Sequence, residues 1–170
     1  HTANRRQRQM CIRDRVWEKP LIVLVNKYSA SASEIFAGAM QDYNRGIIIG
    51  QTTFGKGSVQ RFKTTNNGQI KLTDSLYYRV TGLPTQLSGV VPNLTIPSLL
   101  NDEILGEGEY ENAIKPNNID NAYFVSFENI DSELLQQSFQ KRISTSDYFN
   151  KILEIKKQRE SNLFLSLNLD

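Results

Sequence analysis

Two short apolar runs, Leu21-Ile22-Val23-Leu24-Val25 and Ile47-Ile48-Ile49, stand on either side of a segment with helical periodicity, and this order restricts the first half of the chain more than any other feature. An uninterrupted apolar run of strand length, rich in β-branched residues, fits a strand buried on both faces of a parallel or mixed sheet. From Ser31 to about Tyr43, Ile35, Phe36, Ala39 and Met40 recur at helical spacing, while Ala32, Ala37 and Gly38 are small enough for close packing. Strand, helix and returning strand make a βαβ unit, so an α/β core is expected.

Beyond Lys56 the pattern changes to extended segments, Val59 to Lys63, Ile70 to Thr73 and Leu76 to Val80, with Asn66-Asn67-Gly68 as a hairpin-type turn between the first two. Residues 81–92 are rich in Gly, Pro and Ser and read as a loop, and the prolines of residues 90–97 restrict that stretch to a short edge segment. An acidic, glycine-containing stretch from Asn101 to Glu111 marks a boundary. After it, residues 130–143 and 147–161 carry apolar residues at helical spacing, with Ser144, Thr145 and Asp147 as candidate caps, and residues 163–168 read as an edge strand. The expected organisation is a core over residues 16–100 and a mainly helical region over 101–170. Residues 1–15 are basic and aperiodic, and read either as a non-native addition or as a disordered arm.

Composition narrows the chemistry by subtraction. The only histidine is His1 and the only cysteine is Cys11, both outside any segment that reads as packed, which argues against a Ser-His-Asp triad, a Cys-His dyad or a zinc centre. The net charge is +2 and basic residues are interspersed with acidic ones, so no nucleic-acid footprint is present. No run reaches membrane-spanning length, and the first residues lack the apolar centre of a signal peptide.

Ser31 falls where the first strand's turn enters the helix, and it reads in two ways. Its hydroxyl can act as a nucleophile at the end of a sheet, with the N–H of Ala32 directed at the oxyanion of an attacked carbonyl. Ser31-Ala32-Ser33-Glu34 equally satisfies a capping box, in which Ser31 only caps. Lys56 stands 25 positions later in Phe54-Gly55-Lys56-Gly57, within reach of a returning strand. A lysine serves as general base only when neutral, which requires apolar burial or nearby positive charge; the other reading is a solvated loop lysine. Gly50 to Lys56 also fits most of a phosphate-binding loop, but Gly57 occupies the place of the magnesium-holding Ser or Thr and an extended segment follows, so nucleotide binding is not expected. Gln60, four residues after Lys56, would share its face if the strand reached back that far, and its amide could orient the lysine. Asp42 lies about three turns along the helix from Ser31, too far for contact, as support near the helix end or as surface charge.

Residues 26–45 and 50–60, with Tyr77-Tyr78-Arg79 and Gly89-Val90-Val91-Pro92, closely resemble the C-terminal processing peptidases, in particular their tail-specific branch. Asn112-Ala113-Ile114, Arg142, Phe149 and Ser166-Leu167-Asn168 resemble that branch's helical C-terminal region, so the likeness runs from about residue 16 to 170. It implies a crotonase-like (ClpP-like) α/β core and serine endoproteolysis with no metal, nucleotide or other cofactor. By position, the nucleophile falls on Ser31, the base on Lys56, the lysine-orienting residue on Gln60, an active-site-associated aspartate on Asp42 and an oxyanion donor on Ala32. Unfolded or C-terminally tagged proteins are the implied substrates, an adaptor lipoprotein an implied partner, and the periplasm or cell envelope the implied location. Family members carry upstream a PDZ domain and a glycine-rich turn donating a second oxyanion N–H; neither is found before Val16, so the chain alone is expected to have little activity. The same fold also serves non-catalytic binding proteins, in which Ser31 would only cap its helix.

Overall fold

The computed structural model describes residues 17–99, 106–127 and 132–163. Strand β1 (Ile22–Val25), helix α1 (Ala32–Asp42) and strand β2 (Ile47–Gly50) form the expected βαβ unit, and strand β5 (Leu94–Thr95) joins them. The sheet order is β1-β2-β5, parallel throughout, with Ile22 opposite Ile47 and Ile49 opposite Leu94. Between β2 and β5, strands β3 (Ser58–Thr65) and β4 (Gly68–Leu76) pair as an antiparallel ribbon closed at Asn66-Asn67. The expected third extended segment, from Leu76 to Val80, is not a separate strand: β4 runs to Leu76, and Tyr78 makes a single bridge to Pro84.

The core lies between α1 and one face of the sheet, where Val25, Ala37, Ile48 and Val90 pack together with Val23 and Met40 against them. Here the sequence expectation holds in part. Ala37 and Gly38 are buried and Met40 packs against the core, whereas Ile35 and Phe36 are each 51% exposed and Ala32 is exposed as well. At Gly38 a Cβ would stand in ordinary contact with Arg79 at 3.6 Å and Val90 at 3.7 Å, so α1 already lies close to its neighbours there. Nor is β1 buried on both faces. It is an edge strand, and Ile22 and Leu24 are 60% and 74% exposed on the side away from α1.

Gly50 is the tightest point of the sheet. Its φ is 137°, and a Cβ there would stand 1.8 Å from the carbonyl oxygen of Val25, so only glycine lets β2 leave the sheet here. After β5, residues 106–127 run back along the core. The N–H groups of Glu107, Ala122 and Phe127 donate to the carbonyls of Phe54, Val80 and Tyr43, each at 2.8 Å.

Helices α2 (Ser132–Ser144) and α3 (Asp147–Leu163) follow one another across a short turn and touch, and both helices are those the C-terminal periodicity leads one to expect. Between α2 and the second face of the sheet lies a cavity of about 870 Å³, lined by Ile22, Ile47, Ile49 and Leu94 on one side and Leu135 and Phe139 on the other. Neither Ser31 nor Lys56 lines it, so its size gives it no bearing on the chemistry below. Residues 164–168 of the expected strand, residues 1–15 and residues 101–105 of the acidic boundary stretch lie outside the described residues, while Leu163 is the last residue of α3 and not part of a strand.

Candidate active site

The turn between β1 and α1 is held by Ser29 N–H on the carbonyl of Asn26 at 2.9 Å and by Phe54 N–H on the carbonyl of Ser29 at 3.0 Å. It delivers Ser31 to the helix start with φ 59° and ψ −116°. An ordinary capping serine sits in the β region and lends its hydroxyl to the first turn. Ser31 departs from that pattern in its backbone, since its φ is positive, although the Ser31–Glu34 pairing has the form of a capping box. Such a conformation costs a non-glycine residue about 1–3 kcal/mol and persists only where its surroundings hold it.

Glu34 does the holding. It is fully buried, and its carboxylate takes four donors from two parts of the chain. The N–H groups of Ser31 and Lys56 reach Oε2 at 2.7 and 2.9 Å. The N–H of Gly55 and the hydroxyl of Thr53 reach Oε1 at 2.6 and 2.5 Å. Two charge-assisted bonds to each oxygen satisfy a group that would otherwise be costly to bury. Glu34 answers the capping-box pattern, but it also carries the connection from α1 to the lysine segment.

That segment is pressed against residues 85–90. Thr53 Oγ1 accepts the N–H of Val90 at 2.7 Å, and the buried Gln86 accepts the N–H of Gly57 through Oε1 at 2.7 Å. A Cβ at Gly57 would meet the backbone nitrogen of Gln86 at 2.5 Å, which explains the glycine after Lys56. Tyr77 closes the opposite side. Its hydroxyl donates to the carbonyls of Lys56 at 2.6 Å and Ser31 at 3.1 Å. Burial chiefly, and the negative charge of Glu34 in addition, push its phenol well above the ordinary value, so it remains a donor.

Ser31 and partly buried Lys56 are therefore neighbours through shared partners. The N–H of Ala32, first residue of α1, makes no hydrogen bond among the described residues and is available to a ligand. Gln60 is placed differently from the expectation. The strand begins at Ser58, a register shift falls between Val59 and Gln60, and Gln60 is exposed on the ribbon, so simple alternation from Lys56 does not hold. Asp42 lies at the far end of α1, where Arg79 Nε donates to Oδ2 at 2.9 Å and Nη2 to Oδ1. Arg79 Nη2 also donates to Gln41 Oε1 at 2.8 Å. Sequence reasoning missed the reach of Glu34 and the roles of Tyr77 and Arg79. The capping-box pattern links Glu34 to Ser31, but nothing local links Glu34 to Lys56, Tyr77 to Ser31 or Arg79 to Asp42, because those contacts cross from α1 to the loops flanking the ribbon.

The sequence profile of peptidase family S41 matches residues 1–96, a span that includes the first fifteen residues set apart above. The tail-specific protease of Haemophilus influenzae is 39% identical over 165 residues, which covers 87% of this chain and 24% of that protein. The carboxy-terminal-processing protease of Bartonella bacilliformis is 47% identical over 105 residues, covering 58% of this chain and 24% of that protein. Among solved structures, a photosystem II D1 C-terminal processing protease is 41% identical with a TM-score of 0.44, over 45% of this chain and 20% of that one. The family profile spans the α/β core, and the chain belongs to peptidase family S41. Within it, the chain is similar to tail-specific and C-terminal-processing proteases, and spans about a quarter of the length of the curated relatives it matches.

Proposed function

We propose that the chain carries the catalytic centre of a serine endopeptidase that works through a Ser-Lys dyad. The observation that carries this reading is the double link between Ser31 and Lys56: Glu34 Oε2 takes both N–H groups, and the Tyr77 hydroxyl serves both carbonyls. The positive φ of Ser31, outside the β region of an ordinary cap, supports a nucleophile over a capping serine. In this reading Ser31 Oγ attacks the peptide carbonyl while Lys56 Nζ takes its proton. The N–H of Ala32 stabilises the resulting oxyanion, the lysine passes the proton to the leaving amine, and water releases the acyl group. Gln60 orients the lysine, and Asp42 acts from a distance by anchoring Arg79.

The names of the two relatives, tail-specific and carboxy-terminal-processing, support C-terminally tagged proteins as substrates; unfolded proteins as substrates, the periplasm or cell envelope as location and an adaptor lipoprotein as partner rest on the family resemblance given above. The 170 residues by themselves are expected to show little activity, as they correspond to 24% of the Haemophilus influenzae relative. The test is cleavage of an unfolded protein by the longest gene product that contains this chain, as wild type, Ser31→Ala and Lys56→Ala. Loss of cleavage in both variants, with folding intact, is the expected result. Cleavage that survives in Ser31→Ala means another nucleophile, and an inactive wild type supports a non-catalytic binding protein instead.

A further inference from the structure

We propose that Tyr77 is a positioning residue for this peptidase centre, setting the separation and mutual orientation of Ser31 and Lys56 through its hydroxyl. The inference rests on the dyad reading above. Its starting point is the path of the chain, which leaves Lys56, runs out and back through the ribbon, and returns at Tyr77. Ser58 pairs with Leu76, and the N–H of Tyr77 donates to the carbonyl of Gly57 at 3.0 Å, so Tyr77 is registered against the lysine segment by the ribbon's own ladder.

From that position one hydroxyl spans two elements. It donates to Lys56 O at 2.6 Å and, more weakly, to Ser31 O at 3.1 Å, the same carbonyl that takes the N–H groups of Glu34 and Ile35 at the start of α1. Glu34 binds the same two residues by their amides. Each of Ser31 and Lys56 is thereby gripped at both ends of its own backbone, by a carboxylate at the N–H and by a phenol at the C=O. Without the phenol, Ser31 O keeps its two bonds from the start of α1, whereas Lys56 is left with the grip on its amide, and the direction of the lysine amine relative to Ser31 Oγ broadens. Misplacement of reacting groups by about 1 Å costs on the order of 100-fold in rate, so the effect belongs in the chemical step and not in substrate binding.

The experiment uses the longest gene product containing this chain and the variant Tyr77→Phe, which removes only the hydroxyl. Three measurements are made: steady-state kinetics on an unfolded protein for kcat and KM, the rate of covalent labelling by a fluorophosphonate, and the melting temperature. The expected result is a fall of about 10- to 100-fold in kcat and in labelling rate, with KM within about 3-fold of wild type, in molecules that remain folded. Tyr78→Phe, at the neighbouring residue, leaves all three unchanged. Replacing Tyr77 by 4-aminophenylalanine keeps the ring and restores a donor at the same place; recovery of labelling relative to Tyr77→Phe separates positioning from space-filling, including where Tyr77→Phe folds poorly. Unchanged rates in folded Tyr77→Phe, or no recovery with the amino side chain, overturn the proposal. Labelling of the wild type that persists in Ser31→Ala, or is absent altogether, overturns the dyad reading itself and is distinguishable from failure of the Tyr77 assignment alone.

Discussion

Arg79 and Asp42 form a two-pronged ion pair in which the side chains are only 14% and 5% exposed. Both carboxylate oxygens of Asp42 are engaged by one guanidinium, at the end of α1 away from Ser31. An aspartate held in this way ties the end of α1 to the loop after β4.

Asp42→Ala leaves a largely buried guanidinium unpaired and is expected to lower stability by about 3–5 kcal/mol, since breaking a buried pair from one side is costlier than never having made it. Asp42→Asn, which keeps an acceptor, costs less and retains most of the cleavage per folded molecule. Urea unfolding together with activity corrected for the folded fraction checks both. An Asp42→Asn protein that folds fully and is inactive would give Asp42 a direct chemical role.

Glu34→Gln replaces one of two acceptor oxygens with a donor, set against the donors of Ser31 and Lys56 or those of Thr53 and Gly55. Each buried donor left without a partner costs about 1–3 kcal/mol, so a loss on the order of 3 kcal/mol is expected in thermal unfolding. Cleavage should fall further than stability does, because the backbones of Ser31 and Lys56 are released together.

Relief of strain should be visible at the nucleophile. Ser31→Gly is expected to raise stability by about 1 kcal/mol, the gain at a φ of 59° less the entropy that glycine loses on folding. Ser31→Ala keeps the Cβ and should gain nothing. Denaturant melts of the two variants side by side decide this, and equal stabilities would mean that the conformation is not strained.

Stability should also fall in alkali through Tyr77. The folded chain binds the phenolic proton more tightly than the unfolded chain, because burial and Glu34 oppose ionisation. The contribution is therefore fully present below the ordinary tyrosine value of about 10 and is lost as pH rises beyond it. Tyr77→Phe should flatten that decline in urea melts taken between about pH 8 and 11, and an unchanged slope would exclude Tyr77 as its source.

Much of this arrangement is legible in local sequence. The runs before Asn26 and before Gly50 gave the parallel pair, and Asn66-Asn67-Gly68 gave the ribbon, because both signals are short-range. The orientation of α1 was legible only in part: Ile35 and Phe36 look inward by size, yet Ala37 and Gly38 are the buried residues. Alternation from Lys56 to Gln60 failed as a guide for a similar reason, since a bulge is a property of the paired strands and not of either one. Ser31 and Lys56 stood out by their motifs, whereas Glu34 and Tyr77 take their meaning from bonds to residues as many as 22 and 46 positions away.

The ribbon of β3 and β4 has its two ends in register at Ser58 and Leu76, and its outer length is exposed. Whatever happens at the tip is closed off before it reaches Lys56 on one side or Tyr77 on the other. Related chains can therefore lengthen, shorten or redecorate this arm by insertion and deletion while the two residues at its root keep their spacing, and an engineer seeking a place to splice in a foreign recognition sequence has the same freedom at Asn66-Asn67.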